Sequence, residues 1–193
     1  MGKHTMWTRG AAILLAVGLS ACVVSVEPAV TAADATFDAR LVGRWTIENG
    51  SDSAVVTRGA GNDYRIAYST EDNGAARTGR FNARLGQLGT HQVLDVWPAP
   101  ADSEIPAPYT NTMIAGHQLF DVAVGADEVR LTALDADSLG AAIDAGRVQL
   151  AATRTNNQLV LRGSTDEIRH ALAGYLSRTG VLGSEGRWRR VLR

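Results

Sequence analysis

Between Phe37 and Leu85 no apolar run continues far before a turn rich in glycine or asparagine interrupts it. Such punctuation leaves no room for a long helix and favours short strands that reverse at each break. Arg44–Glu48 and Ala54–Arg58 flank Asn49-Gly50. Ala54–Arg58 and Tyr64–Ser69 flank Gly59-Ala60-Gly61-Asn62, and Tyr64–Ser69 and Thr78–Leu85 flank Asp72-Asn73-Gly74. Glycine and asparagine accept the positive φ that tight hairpin turns need. Alternation within the runs agrees: Tyr64, Ile66 and Tyr68 share one face, and Phe81, Ala83 and Leu85 oppose Arg80, Asn82 and Arg84. The pattern predicts a four-stranded antiparallel meander with one wet face.

Further along, Val93–Trp97 reads as a fifth strand, followed by a loop from Pro98 to Pro108 that holds four of the chain's five prolines. Proline cannot donate to a ladder, so this segment is expected to form an irregular rim feature. Strands follow at His117–Val124 and Glu128–Ala133 around Gly125-Ala126-Asp127, then a short helix over Asp137–Ala145. A hairpin over Arg147–Thr153 and Gln158–Arg162 turns at Asn156-Asn157. Ser164-Thr165-Asp166-Glu167 has the form of a capping box, and Ile168, Ala171, Leu172, Tyr175 and Leu176 make an apolar stripe at helical spacing, with Gly180 as the stop. No internal repeat is evident. Together these signals predict an α+β fold, an antiparallel sheet of about eight or nine strands curved into a partial barrel or sandwich with two helices packed on it. A single β-rich domain is expected over residues 37–193.

The first residues carry a different signal. Lys3 and Arg9 precede the apolar run Ala11–Leu19, which is well short of the roughly 20 residues needed to span a bilayer. The run ends Leu19-Ser20-Ala21-Cys22, which resembles the lipobox of bacterial lipoproteins. That resemblance implies a signal peptide over residues 1–21, cleavage before Cys22 and a diacylglyceride on its thiol. It also implies an acylated amino terminus, since stable anchoring takes more than one acyl chain. In lipoproteins of this kind an Asp after the cysteine marks retention at the inner membrane; Val23 and Val24 stand here instead, which implies the outer membrane where the cell has one. Residues 22–36, small and aperiodic, are expected to form a tether. Cys22 is the only cysteine in the chain, which excludes intramolecular disulfides and cysteine-based zinc sites. Loss of Lys3 and Arg9 reduces the 19 basic residues to 17 against 20 acidic, and no basic stripe interleaves with aromatics, so no nucleic-acid partner is expected.

Gly43-Arg44-Trp45 is similar to the glycine-x-tryptophan signature of lipocalins, barrels that hold apolar ligands and whose tryptophan closes one end. The resemblance implies a ligand site lined by Trp45, Tyr64, Ile66 and Tyr68. The later strand–helix–hairpin–helix segment departs from the lipocalin plan of one main helix. Leu41–Trp45, Tyr64–Tyr68, Leu94–Pro98 and Leu161–Glu167 also resemble segments of a group of bacterial envelope proteins, a likeness that implies a shared domain and adds no chemistry. His91, His117 and His170 lack the paired spacing of a helical metal site, and Glu167 is taken by the capping box, so neither metal nor cofactor is expected. Asp95 lies between Leu94 and Val96, and alternation assigns it to the solvent face. Gly59-x-Gly61 runs into a strand where a dinucleotide loop requires a helix. No Gly-x-Ser-x-Gly elbow or Walker loop occurs. Three readings of function remain open. One is a lipid-anchored domain that binds a small apolar or amphipathic ligand; a second is a structural or protein-interaction module of the envelope. A hydrolase, signalled by His117 among carboxylates in a cleft, is the third.

Overall fold

The computed structural model describes residues 23–72, 75–100, 116–155, 158–178 and 182–192. Eleven strands occur among these residues: β1 (Val23–Ser25), β2 (Gly43–Ile47), β3 (Ser53–Arg58), β4 (Tyr64–Asp72), β5 (Ala75–Leu88), β6 (His91–Pro98), β7 (His117–Val124), β8 (Glu128–Leu134), β9 (Ala151–Thr155), β10 (Gln158–Arg162) and β11 (Leu182–Arg190). Two α-helices, α1 (Ala136–Asp144) and α2 (Thr165–Leu176), and a 3₁₀ turn over Ala39–Leu41 complete the set.

Strands β2 to β8 and β11 form a closed antiparallel barrel of eight. The expected partial barrel or sandwich is corrected by one pairing: β6 and β7 meet from Val93↔Asp121 to Val96↔Gln118 and remove the free edges. Strand β11, which the sequence reading does not foresee, sits between β2 and β8 and completes the ring. We call the end where β6 finishes and β7 begins the upper end, and that of the Gly125–Asp127 turn the lower.

The expected tether is also corrected. Residues 23–25 are a strand that pairs parallel with β10 and antiparallel with β7, and Ala29 and Val30 are fully buried. A three-residue strand gives no periodic signal in the sequence, so its place is visible only once both partners are. From Ser25 the chain crosses the outside of β6 and β5. Gly86 makes room for it, since a Cβ there would run into the Val30 side chain. It then bridges β5 through Thr36 N–H to the Leu85 carbonyl (2.7 Å) and passes below the barrel at Phe37, whose ring stacks on Tyr64.

Two cores result. Inside the barrel, Leu41, Trp45, Tyr64, Ala83, Leu85, Leu94, Val122 and Val129 pack together. Outside it, α1, α2 and the β1–β10–β9 extension cover β5–β8 with a second apolar layer that includes Val30, Val93, Leu119, Leu139, Leu161 and Leu172. The gap between α2 and the sheet, lined by Leu88, Val93, Leu119 and Leu176, leaves no volume for a water molecule. Helix α1 begins at Ala136, and its end is closed by the N–H groups of Arg147 and Val148 on the Ala142 carbonyl. That closure delays β9 to Ala151, later than the sequence pattern implies. The turn residues Asn73-Gly74 and Asn156-Asn157, Gly180, Cys22 and residues 101–108 of the proline segment lie outside the described residues.

The capping box on α2 is present in both directions, with Ser164 Oγ accepting from the Glu167 N–H and the Glu167 carboxylate accepting from the Ser164 N–H at 2.7 Å. Leu172 has no exposed surface. Replacing Leu172 by Ala is expected to lower stability by about 2–5 kcal/mol in denaturant unfolding, through lost burial and the space left behind. Ser164→Ala is expected to lower it by only about 1 kcal/mol.

Candidate functional site

The interior of the barrel differs sharply between its two ends. At the lower end Trp45 is 3% and Tyr64 1% exposed. Trp45 Nε1 donates to the Leu41 carbonyl at 2.9 Å, inside the 3₁₀ turn that crosses beneath it. The Arg190 guanidinium lies 4.4 Å from the centre of the Trp45 ring and donates to the carbonyls of Val42 (3.0 Å), Ala126 (3.1 Å) and Arg40. One side chain therefore ties the last strand, the first barrel strand and the β7–β8 turn together while capping an aromatic face. Gly43, at φ +155°, has no room for a Cβ because Arg190 occupies that space. Tyr64 receives the Asp38 N–H on its hydroxyl at 2.6 Å and returns a bond to the Asp38 carbonyl. This end is a plug.

Toward the upper end the inward-facing residues are only partly covered. Register places Ile66 opposite Phe81 and Leu94 opposite Phe120, all on the inner face, and Val96 and Trp188 share that side. Ile66, Phe81, Val96, Phe120 and Trp188 are half-buried, although each points into a barrel of apolar character. Tyr68 meets Trp188 edge-on at 6.1 Å between ring centres. Its hydroxyl donates to Asp52, which also accepts from Thr70 at 2.7 Å. Burial first, and the Asp52 carboxylate second, push the Tyr68 hydroxyl up to about 12. The four residues singled out in the sequence thus divide: Trp45 and Tyr64 are buried at the closed lower end, while Ile66 and Tyr68 belong to the less covered upper wall.

A second constellation lies on the outer face of β6 and β7. Asp95, expected at the solvent face, is 0% exposed. The alternation is real, but both faces of β6 are covered: Leu94 points into the barrel, while Asp95 points under the crossing segment 26–30. One carboxylate oxygen accepts from the N–H groups of Ala29 (2.8 Å) and Val30 (3.0 Å), and the other lies 2.7 Å from Nδ1 of His117. A carboxylate here can only accept, so Nδ1 carries the proton. The His117 ring also lies against Trp97, which in turn carries the Arg84 guanidinium, bound to Asp63 at 2.8 Å. Opposite His117 on β1, Ser25 gives its hydroxyl to the Glu27 carbonyl at 2.7 Å. Asp95 fixes the ring with one oxygen, as a carboxylate fixes the imidazole of a catalytic pair, while its other oxygen is spent on holding the chain. The arrangement acts as a clamp.

The clamp has a twin. His91-Gln-Val-Leu-Asp95 on β6 matches His117-Gln-Leu-Phe-Asp121 on β7, and the antiparallel register crosses them, so that His91 Nδ1 reaches Asp121 at 2.8 Å. The match spans only five residues in two strands with different flanks, and its meaning appears only in the pairing. His170 stands exposed on α2, apart from both pairs. No group of three or more His, Cys, Asp or Glu placed to hold a metal occurs among the described residues.

Neither a family model, nor a curated protein, nor a solved structure matches this chain.

Two outcomes follow from burial. Asp95→Ala leaves two backbone donors and a histidine without their acceptor, and is expected to lower stability by about 3–5 kcal/mol in denaturant unfolding. Asp121→Ala, at a partly exposed pair, is expected to lower it by under about 1 kcal/mol. Tyr68 supplies a pH test. A hydroxyl whose ionisation is delayed in the folded state stabilises the fold fully below pH 10.0, its ordinary value, and that contribution is lost as pH rises toward about 12. Tyr68→Phe should remove this part of the alkaline decline, measured by thermal unfolding across that window.

Proposed function

We propose that this protein is a lipid-anchored envelope protein whose barrel binds a small apolar or amphipathic molecule in its upper cup. The observation that carries the reading is the contrast along the barrel axis. The lower interior is filled and plugged by Trp45 and Arg190, while the upper interior presents half-buried Ile66, Tyr68, Phe81, Val96 and Trp188. Apolar area left partly wet on a concave inner wall gains about 25 cal/mol per Å² when a guest covers it, before ordering losses. Asp52, Tyr68 and Thr70 add a polar group beside the apolar wall, the mixed lining that orients an amphipathic guest. The glycine-x-tryptophan likeness to lipocalins supports the same assignment, beside the burial of Trp45 and its hydrogen bond to the Leu41 carbonyl. The lipobox likeness at Leu19–Cys22 supports the anchor.

The test is a titration of the purified domain with fatty acids and apolar dyes, read by tryptophan emission. Trp188 faces the cup, so a saturable change is expected in the native protein and a much smaller one in Trp188→Phe. Trp45→Phe should keep the response if it remains folded. A native emission that stays flat through the solubility range of every probe would exclude the ligand reading.

A further inference from the structure

We propose that the outer side of β9 is a docking edge for an extended segment of another protein, one rich in lysine or arginine, that joins the sheet as its next strand. The barrel offers no such edge, because β6 pairs with β7. The extension does. Strand β10 lies between β1 and β9, whereas β9, among the described residues, pairs with β10 alone. Their ladder runs unbroken from Gln158↔Thr155 to Arg162↔Ala151, and two residues make the turn. A turn of that length makes Thr155 and Gln158 a hydrogen-bonded pair, after which bonded and non-bonded pairs alternate. Ala151, Thr153 and Thr155 therefore direct their backbone N–H and C=O groups to β10, while Ala152 and Arg154 turn theirs outward. Natural edges are blunted by proline, a bulge, an inward charge or a cover. Strand β9 has no proline and no bulge, and all its residues but Ala152 are exposed.

Its one charge, Arg154, is drawn off the strand onto the flank of α1. The guanidinium lies 3.6 Å from Asp137 and 3.9 Å from Asp144, over Gly140, where a Cβ would run into it. The two carboxylates are 88% and 75% exposed and share this single cation, so the flank keeps a net negative charge beside the open edge. Ion pairs this long and wet hold their partners weakly. In a strand laid against β9, every second side chain rises on the face that carries Ala152 and Arg154, level with that flank. Basic residues at those positions meet Asp137 and Asp144. A second copy of this chain fits worse. The symmetric pairing that uses all the outward groups sets Ala152 against Arg154 of the other copy. It also puts both α1 flanks on the same side of the joined sheet, four carboxylates against two guanidiniums. That excess of like charge favours a basic partner over a copy.

The test uses the purified full-length protein and a fluorescein-labelled heptapeptide in which lysine alternates with threonine, read by anisotropy at low salt. A saturable rise is expected, and it should weaken as salt is added. The same peptide with glutamate in place of lysine is expected to bind about tenfold more weakly or worse. Asp137→Asn combined with Asp144→Asn should weaken the lysine peptide by a similar factor with little change in thermal unfolding, since both side chains are exposed. Ala152→Pro removes an outward N–H and no ladder bond, and is expected to abolish binding. A readout that needs no variant comes from isotope-labelled native protein, where the amide resonances of Ala152 and Arg154 should shift on titration. Absence of saturable binding, equal binding of the two peptides, or shifts confined to other strands would overturn the docking edge. A dimer in sedimentation that Ala152→Pro dissolves would overturn it too, by making a second copy the occupant.

Discussion

Strands β6 and β7 carry apolar layers on both faces along their shared length, and the rest of the structure is arranged around that fact. A barrel strand normally turns one row of side chains to water. Here Leu94 and Val122 go inward, while Val93 and Leu119 enter a second apolar layer made by helices and the amino-terminal segment. A polar side chain on such a strand has to be satisfied by the covering layer. Asp95 meets that demand by turning a loose chain into a fixed crossing, and the crossing delivers Phe37 and the 3₁₀ turn to the base of the barrel.

The sequence discloses the parts of the fold that are local. Hairpins β2–β5 follow from period-two alternation and from turns where Asn49 and Gly61 take positive φ. The α2 helix follows from its capping box and stripe, and its burial follows with it. What remains hidden is what depends on a distant partner. Asp95 is assigned to solvent because alternation reveals two faces without saying that both are covered. Leu182–Arg190 reads as polar and glycine-rich, and it becomes a strand because β2 and β8 present facing edges. Among candidate site residues, the sequence brings Tyr64, Ile66 and Tyr68 to one face and stops there. That Tyr64 is closed off while Ile66 and Tyr68 stay partly covered depends on Phe37 and Asp38, which reach Tyr64 from outside the meander.

Arg190 also illustrates how a surface charge comes to organise an apolar end. Its guanidinium has planar donors enough to serve several carbonyls at once while one face rests on an indole. Lysine, with a compact head, could not do both. The glycine at 43 is the complement of that arrangement, a position kept empty so that the guanidinium can lie flat.

The position of β11 has a temporal consequence. The ring closes only when a strand from the end of the chain slides between β2 and β8, and β1, from the beginning, lies between β7 and β10. Contacts of such sequence separation form late and slowly, since the intervening loop must first be brought together. A chain emerging in order from a ribosome holds neither a closed barrel nor a complete outer layer until residues near its carboxyl terminus arrive. It stays threadable for as long as it is being made.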